Sequence, residues 1–189
     1  MKICVFGGAF DPLHLGHEKL ISILLSKFNK VIIMPSKQSP GKKQPGASDL
    51  DRLKMLSLCS FYKNANLIVD RYEIDSNDKP SYSINSIKHI KNKFKGDNIY
   101  LALGLDQLNN LHNWHNIEEL LQLVNIICFN RDGLLNECSI VEPEMIEDFN
   151  HNISSSDIKK IIQTDIVQIK TMVNKNIFNY IANEKLYQC

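Results

Sequence analysis

Two histidines in the N-terminal stretch GGAFDPLHLGH, His14 and His17, could together bind an anionic group. At positions i and i+3 across the start of a helix, both imidazoles project toward the N–H groups of the first turn, a place that already favours anions. Gly7 and Gly8 open the stretch, and without a Cβ they let the backbone approach a ligand closely. These residue types at this spacing predict a site for phosphate groups. The alternative is that His14 caps the helix and His17 is an ordinary buried polar residue.

A strand before this motif and a helix after it must position the histidines. The apolar run at residues 2–6 predicts a short buried strand that ends at the two glycines, and apolar spacing over residues 17–28 predicts the helix. Residues 30–34 follow as a second strand, which completes a β-loop-α-β unit with a right-handed crossover. Further strands are predicted at residues 67–69, 98–103 and 124–129, and further helices after Ser48 and at residues 82–94, 154–162 and 173–181.

The alternation of strands and helices predicts a single α/β domain around a mainly parallel sheet. We expect this domain to comprise residues 1–189, with a C-terminal helical portion from about residue 154. Ligands of such sheets bind beyond the carboxyl ends of the strands. The informative loops are therefore those at residues 7–17, 35–46, 104–114 and 130–133.

Composition limits the classes of partner. The 22 basic and 21 acidic residues give a formal net charge of +1, so we expect neither nucleic acid nor an anionic membrane as a partner. No apolar run approaches the roughly 18 to 20 residues of a membrane span, and glycines break MKICVFGGAF too early for a signal peptide. Five scattered cysteines without C-x-x-C spacing indicate neither a disulfide framework nor a zinc site, and favour a reducing, cytoplasmic setting. Since the chain has only three arginines (Arg52, Arg71 and Arg131), lysine, histidine and backbone N–H groups would carry most phosphate binding.

Two motifs together resemble a known family. GGAFDPLHLGH resembles the signature of the H-x-G-H nucleotidyltransferases, which transfer a nucleotidyl group from a nucleoside triphosphate onto a phosphate and release pyrophosphate. The family's I-S-S-T-x-x-R element has a counterpart about 140 residues later in ISSSDIK, residues 153–159. Two elements in this order are much more specific than either one alone.

The intervening segments are similar to those of the bacterial nicotinate-mononucleotide adenylyltransferases. MPSKQSPGKK, which contains Lys42, resembles their proline-lysine loop, and PSYS at residues 80–83 resembles their S-Y-T element. LGLDQLNNLHNWHNIEELL resembles their G-x-D…W segment, with Asp106 and Trp114 in register. NRDG at residues 130–133 resembles their A-R-P-G turn, and VNKNIFNYIANEKLY resembles their closing helix. The similarity thus spans essentially the whole chain.

The resemblance implies a Rossmann-like, doubly wound enzyme of NAD biosynthesis. ATP and nicotinate mononucleotide would give nicotinate adenine dinucleotide and pyrophosphate, by in-line attack of the mononucleotide 5′-phosphate on the α-phosphorus. His14 and His17 would be the catalytic contacts to the phosphates, and Mg²⁺ would arrive with ATP. The implied ATP and phosphate contacts are Gly7, Gly8, Phe10, Lys42, Asp106 (on a ribose hydroxyl), Arg131, Ser154, Ser155, Ser156 and Lys159. The implied mononucleotide contacts are Tyr82, Ser83, Trp114 and His115.

Three positions depart from the family pattern. Lys159 stands for the terminal arginine and lacks its bidentate fork, Gly41 stands for a histidine before the loop lysine, and Asp132 stands for the proline of the turn. Three other functions stay open: a preference for nicotinamide mononucleotide, a pantetheine-phosphate adenylyltransferase, and a nucleotide-binding sensor without catalysis. A homo-oligomer is open as well. By local pattern alone, Trp114 could be a core residue and Asp106 a helix cap.

Overall fold

Six parallel strands form one sheet in a computed structural model of the chain, which describes residues 1–77, 80–129, 140–146, 149 and 153–188. The strands are β1 (Lys2–Gly8), β2 (Lys30–Pro35), β3 (Leu67–Val69), β4 (Asn98–Gly104), β5 (Asn125–Phe129) and β6 (Glu144–Ile146). They lie in the order β3-β2-β1-β4-β5-β6, and the winding reverses between β1 and β4. The Rossmann-like, doubly wound, parallel sheet is thereby confirmed. Strand β6 is not predicted from the sequence, because its three residues, unlike those of β3, do not form a continuous apolar run.

The described residues also include eight α-helices. Three of them, with four, five and seven residues, are too short for a helical period to be visible in the sequence, and the predictions missed them. None of the helices in the described ranges has the length and apolar character to cross a bilayer. The helices are α1 (Leu15–Lys27), α2 (Asp49–Ser57), α3 (Tyr72–Asp75), α4 (Ser83–Lys93), α5 (Leu105–Asn109), α6 (Ile117–Leu123), α7 (Ser155–Thr164) and α8 (Lys175–Asn183).

Helices cover both faces of the sheet because each strand presents apolar residues alternately to the two sides. In β1, Cys4 and Phe6 face one core, and Ile3 and Val5 face the other. Helices α1, α2, α7 and α8 pack on the first face, and α4, α5 and α6 pack on the second. The loops that follow β1 and β4 therefore leave the sheet next to each other, at its point of reversal.

The start of α1 is tied to the C-terminal part of the chain. The Leu15 N–H donates to the Met172 carbonyl at 2.8 Å. Glu18, one turn along α1, is buried and accepts hydrogen bonds from the hydroxyl of Ser60 at 2.7 Å and from the side-chain amide of Asn174. Asn174 also caps α8. These contacts fix the position of the helix terminus that carries the two histidines.

A buried carboxylate joins the end of β3 to α4. Asp70 accepts hydrogen bonds from Lys93 at 3.0 Å and from the Tyr72 N–H at 3.0 Å, and His89 Nε2 lies 3.2 Å from its Oδ2. Burial alone would raise the pKa of Asp70, but these partners outweigh it and hold the pKa below its usual value. The ionised form of Asp70 therefore stabilises the fold.

We expect Asp70→Asn to lower the free energy of unfolding at pH 7 by about 1 kcal/mol, since the partly exposed Lys93 limits the strength of the ion pair. The stabilisation is present above the unfolded-state pKa of about 3.9 and is lost as the pH falls through the lower folded-state pKa. The difference between wild type and variant in urea unfolding should therefore shrink from pH 7 to pH 3. Asp75→Asn is the control, because its ion pair with Arg71 is more than half exposed on both sides. A difference for Asp70→Asn that does not change with pH would contradict this prediction.

Candidate active site

A cleft of about 640 Å³ opens at the carboxyl ends of β1 and β4, the position at which doubly wound sheets bind ligands. Of the described residues, those that line it come from the glycines that end β1, the loop after β2, helix α3, the start of α4, strand β4 and the segment after β4. Eight of the residues predicted from the sequence lie together here: Gly7, Gly8, Lys42, Tyr82, Ser83, Asp106, Trp114 and His115.

Three aromatic rings form one end of this cleft. The rings of Tyr82 and His115 lie 4.4 Å apart between centroids, at an angle of 36°. Trp114 is half-buried and packs against the core beneath α4 while it also lines the cleft. A flat ring could lie against these side chains. Trp114 thus packs against the core, and its predicted role as a platform for a ligand ring stays a prediction.

Asp106 lies directly over the residue that ends β4. A Cβ on Gly104 would approach the Asp106 Oδ1 to 2.7 Å, so a larger residue here would make the Asp106 side chain shift. The N-cap of α5 is Gly104, and Asp106 is an acidic residue in the first turn of that helix. Its carboxylate is exposed and lines the cleft, where it can accept a hydrogen bond from a ligand hydroxyl.

Glu73 lines the cleft and was missed from the sequence. It lies on the four-residue helix α3 and accepts a hydrogen bond from the Ser86 hydroxyl on α4. Burial raises the pKa of the Glu73 carboxyl, and the hydrogen bond from Ser86 opposes this increase. No sequence pattern marks a helix this short, so the sequence contains no signal that would place Glu73 beside Tyr82 and Ser83.

His14 and His17 form a reciprocal cap at the start of α1. The His17 N–H donates to His14 Nδ1 at 3.4 Å, and the His14 N–H donates to His17 Nδ1 at 3.3 Å. The two rings stack at 3.7 Å between centroids. Because each Nδ1 accepts a backbone N–H, a neutral ring carries its proton on Nε2, which makes Nε2 a hydrogen-bond donor. The capping alternative is therefore correct for Nδ1, and Nε2 is the atom through which each ring can contact a phosphate.

The histidines are less open than the motif suggests. The side chains of His14 and His17 are 1% and 8% exposed and lie outside the residues that line the cleft. Phe10, which is expected to line the phosphate site, is likewise buried at 1% exposure, with its ring 5.1 Å from that of His17. A Cβ on Gly8 would lie 3.2 Å from the Phe10 ring, so Gly8 has a packing role as well. The Phe10 ring thus packs between Gly8 and the His17 ring.

The predicted residue Lys159 lies in a second cluster, around Asp11, which the sequence analysis did not single out. Lys159 donates to the Asp11 carboxylate at 2.7 Å, as do the N–H groups of Gly46 at 2.7 Å and Ala47 at 2.9 Å and the hydroxyl of Tyr187 at 2.8 Å. Burial alone would raise the pKa of Asp11, but these donors outweigh it and lower the pKa. Asp11 could have been identified from the sequence, because it is a charged residue inside a glycine-rich motif. The sequence contains no comparable signal for Tyr187.

The serine run lies at the start of α7 beside the histidine motif. Ser154 caps α7 by accepting the Asp157 N–H at 3.1 Å, which confirms its capping role. Ser155 donates to the Pro12 carbonyl at 3.0 Å, and Ser156 is exposed. The N-termini of α1 and α7 thus lie near each other, an arrangement suited to phosphate groups.

The remaining predicted contacts are at the edge of the site or beyond the described residues. Lys42 is exposed in the loop after β2, next to Gly41, whose φ of +69° suits a glycine. Arg131 and Asp132 lie outside the described residues, so their predicted roles stay predictions. Among the described residues, no group of three or more His, Cys, Asp or Glu is placed to hold a metal ion.

Comparisons with known proteins agree on the kind of molecule. A model of the cytidylyltransferase-like family matches residues 5–161. The probable nicotinate-nucleotide adenylyltransferase of Aquifex aeolicus is 38% identical over 135 residues, covering 70% of this chain and 79% of that protein. Its counterpart in Aliarcobacter butzleri is 30% identical over 190 residues, covering 98% of this chain and 100% of that protein. The structure of Plasmodium falciparum nicotinic acid mononucleotide adenylyltransferase complexed with NaAD shares the fold, with a TM-score of 0.79 at 19% identity over 98% of this chain and 97% of that one.

Proposed function

The chain belongs to the cytidylyltransferase-like family and is a nucleotidyltransferase related to the nicotinate-nucleotide adenylyltransferases, and we propose that it transfers the adenylyl group of ATP to nicotinate mononucleotide. The products are nicotinate adenine dinucleotide and pyrophosphate. The observation that carries this proposal is the cleft between β1 and β4, which joins an aromatic end to Gly7 and Gly8. A mononucleotide placed along it has its ring toward Trp114 and its phosphate toward the start of α1.

The reaction needs positioning and charge stabilisation rather than a protein nucleophile. An oxygen of the mononucleotide 5′-phosphate attacks the α-phosphorus of ATP, the bond from that phosphorus to the oxygen bridging to the β-phosphorus breaks, and pyrophosphate leaves with the electron pair. The Nε2–H groups of His14 and His17 donate to the phosphate oxygens as charge develops. The N-termini of α1 and α7 and the Lys159 ammonium supply further positive charge. Since His14 and His17 are 1% and 8% exposed, their Nε2 atoms contact ATP only if the side chains packed around them shift.

The N-terminus of α1 has limited capacity for an anion. The N–H groups of Leu15, His17 and Glu18 already donate to Met172, His14 Nδ1 and the His14 carbonyl. A phosphate at this terminus would therefore use the remaining first-turn N–H, that of Gly16. The absence of a side chain at Gly16 leaves room for this approach.

We also propose that Mg²⁺ accompanies ATP. The described lining of the cleft offers serine hydroxyls and the separate carboxylates of Glu73 and Asp106. This donor set fits an ion that takes its oxygens largely from phosphates and water rather than from a protein cage. When bound, the ion would neutralise charge on the phosphates.

The cytoplasm is the compartment that we propose for this reaction, with residues 1–189 forming the domain that performs it. The thiols of Cys4, Cys59 and Cys128 are free and buried, which suits a reducing environment. Burial also raises the pKa of the Cys4 thiol, so it stays protonated and unreactive.

The substrate is tested by pyrophosphate release with Mg·ATP and nicotinate mononucleotide, nicotinamide mononucleotide or phosphopantetheine. We expect kcat/KM for the nicotinate form to exceed that for the amide by at least about tenfold, since one good charge-assisted contact to the ring carboxylate is worth that much. The exposed His115 beside Tyr82 and Ser83 provides donors for that carboxylate. Equal or better use of the amide would overturn the acid preference, and turnover with phosphopantetheine alone would overturn the substrate class.

A further inference from the structure

The Asp11 carboxylate connects three distant parts of the chain. It is 2% exposed and accepts hydrogen bonds from Gly46, Ala47, Lys159 and Tyr187, all at 2.7 to 2.9 Å. Of these four donors, only the Lys159 ammonium carries a charge. The other three are two backbone N–H groups and a phenol hydroxyl. A buried carboxylate is costly unless its oxygens are hydrogen-bonded, so each donor matters.

Tyr187 reaches Asp11 through a specific C-terminal turn. After α8 the Leu186 N–H donates to the Ile181 carbonyl at 3.0 Å, and Lys185 and Tyr187 adopt positive φ angles of 52° and 65°. The Tyr187 ring lies against Gly46, where a Cβ would be 3.2 Å from the ring. Burial and the Asp11 carboxylate raise the pKa of Tyr187, so the hydroxyl keeps its proton and acts as donor.

The Lys159 ammonium cannot bind the Asp11 carboxylate and the triphosphate of ATP equally well at the same time. The ammonium pairs with Asp11, whereas the proposed function places it on the triphosphate. When Lys159 turns to ATP, the Asp11 carboxylate keeps only its three neutral donors. The Tyr187 hydroxyl therefore contributes more to stability in the ATP-bound state than in the free state.

We propose that Tyr187 is a positioning residue for ATP: its hydroxyl holds Asp11 so that Lys159 can leave Asp11 for the triphosphate. This inference rests on the proposed function, which identifies the reaction. Its test, in contrast, measures only the binding of ATP. Without the hydroxyl, Asp11 depends more strongly on Lys159 and releases it less readily. ATP should then bind more weakly, and the mononucleotide site, which lies in the cleft, should be unaffected.

We expect Tyr187→Phe to raise the Kd for Mg·ATP, measured by calorimetry, by about three- to tenfold, the range typical of a hydrogen bond to a charged group. KM for ATP should rise in parallel, and KM for the mononucleotide should stay within about twofold of the wild-type value. In a Lys159→Met background there is no ammonium to release, so adding Tyr187→Phe should change the Kd by less than about twofold. An unchanged Kd in the single variant, or the same increase in both backgrounds, would overturn the proposal.

Tyr180→Phe provides a matched control. Tyr180 lies on α8 and donates to the Asp51 carboxylate at 2.7 Å, a phenol–carboxylate bond away from Asp11. The control should leave the Kd for ATP unchanged. If both variants weaken ATP binding equally, Tyr187 merely stabilises the C-terminal region. Because calorimetry needs no turnover, an inactive wild-type protein in the mononucleotide assay would contradict the proposed function without affecting this comparison.

Discussion

Replacing His14 by asparagine should lower turnover by roughly a hundredfold or more, the cost typical of losing one transition-state donor. Asparagine is a good N-cap residue, so its side-chain oxygen can still accept the His17 N–H at the start of α1. The variant therefore removes the His14 Nε2–H while it keeps the cap. Pyrophosphate release at saturating substrates gives kcat, and thermal unfolding reports whether the fold is intact.

Two further variants distinguish the proposed role of His14 in turnover from its role as the cap of α1. His14→Ala loses the cap as well as the donor and should be less stable than His14→Asn by about 1 kcal/mol, with a similar loss of turnover. Ser48→Ala removes the cap of α2, where the Ser48 hydroxyl accepts the Asp51 N–H at 3.1 Å, and should lower stability with little effect on turnover. A folded His14→Asn protein with a near-normal rate of turnover would show that His14 acts only as the N-cap of α1.

Replacing Trp114 by alanine should raise KM for the mononucleotide by about tenfold or more, because stacking of a base on an aromatic ring contributes roughly 1–3 kcal/mol. The indole lines the cleft next to the Tyr82–His115 pair, so its loss removes a flat surface for the pyridine ring. KM for ATP should change much less. Steady-state kinetics with each substrate varied in turn measures the two values.

Trp114 also packs against the core, so stability has to be measured with it. Trp114→Phe keeps an aromatic face and should recover most of the affinity for the mononucleotide. Tyr62→Ala is the control, since Tyr62 is 45% exposed and lies outside the residues that line the cleft. A Trp114→Ala protein that is less stable but has an unchanged KM would assign the indole to the core alone.

Much of the fold could be predicted because strands and longer helices show their periods in consecutive residues. Strands β1 to β5 and helices α1, α2, α4, α7 and α8 begin and end within a few residues of the predicted positions. The cap at Ser48 is equally local, since it depends on one hydroxyl and an N–H three residues away. Short helices such as α3 contain no full period, and they were missed for that reason.

Periodicity also does not show which face of a helix is buried. Leu50 on α2 is 74% exposed, while Arg52 on the same helix is 0% exposed and donates to the Ala9 carbonyl at 2.7 Å. Hydropathy alone favours the opposite arrangement. The guanidinium is tolerated inside because Ala9 and Asp49 accept its hydrogen bonds.

By itself the sequence determined the strand, glycine break and histidine pair of the phosphate motif, the α/β class, and the resemblance from which the reaction follows. All of these depend on residue types at short, fixed spacings. The tertiary structure decided which groups meet: Asp11 with Lys159 and Tyr187, which are 148 and 176 residues away, and Glu73 with the turn at Tyr82. It also decided that the Phe10 ring packs against His17. Such contacts depend on how the sheet and its helices pack in three dimensions, and no local pattern in the sequence specifies that packing.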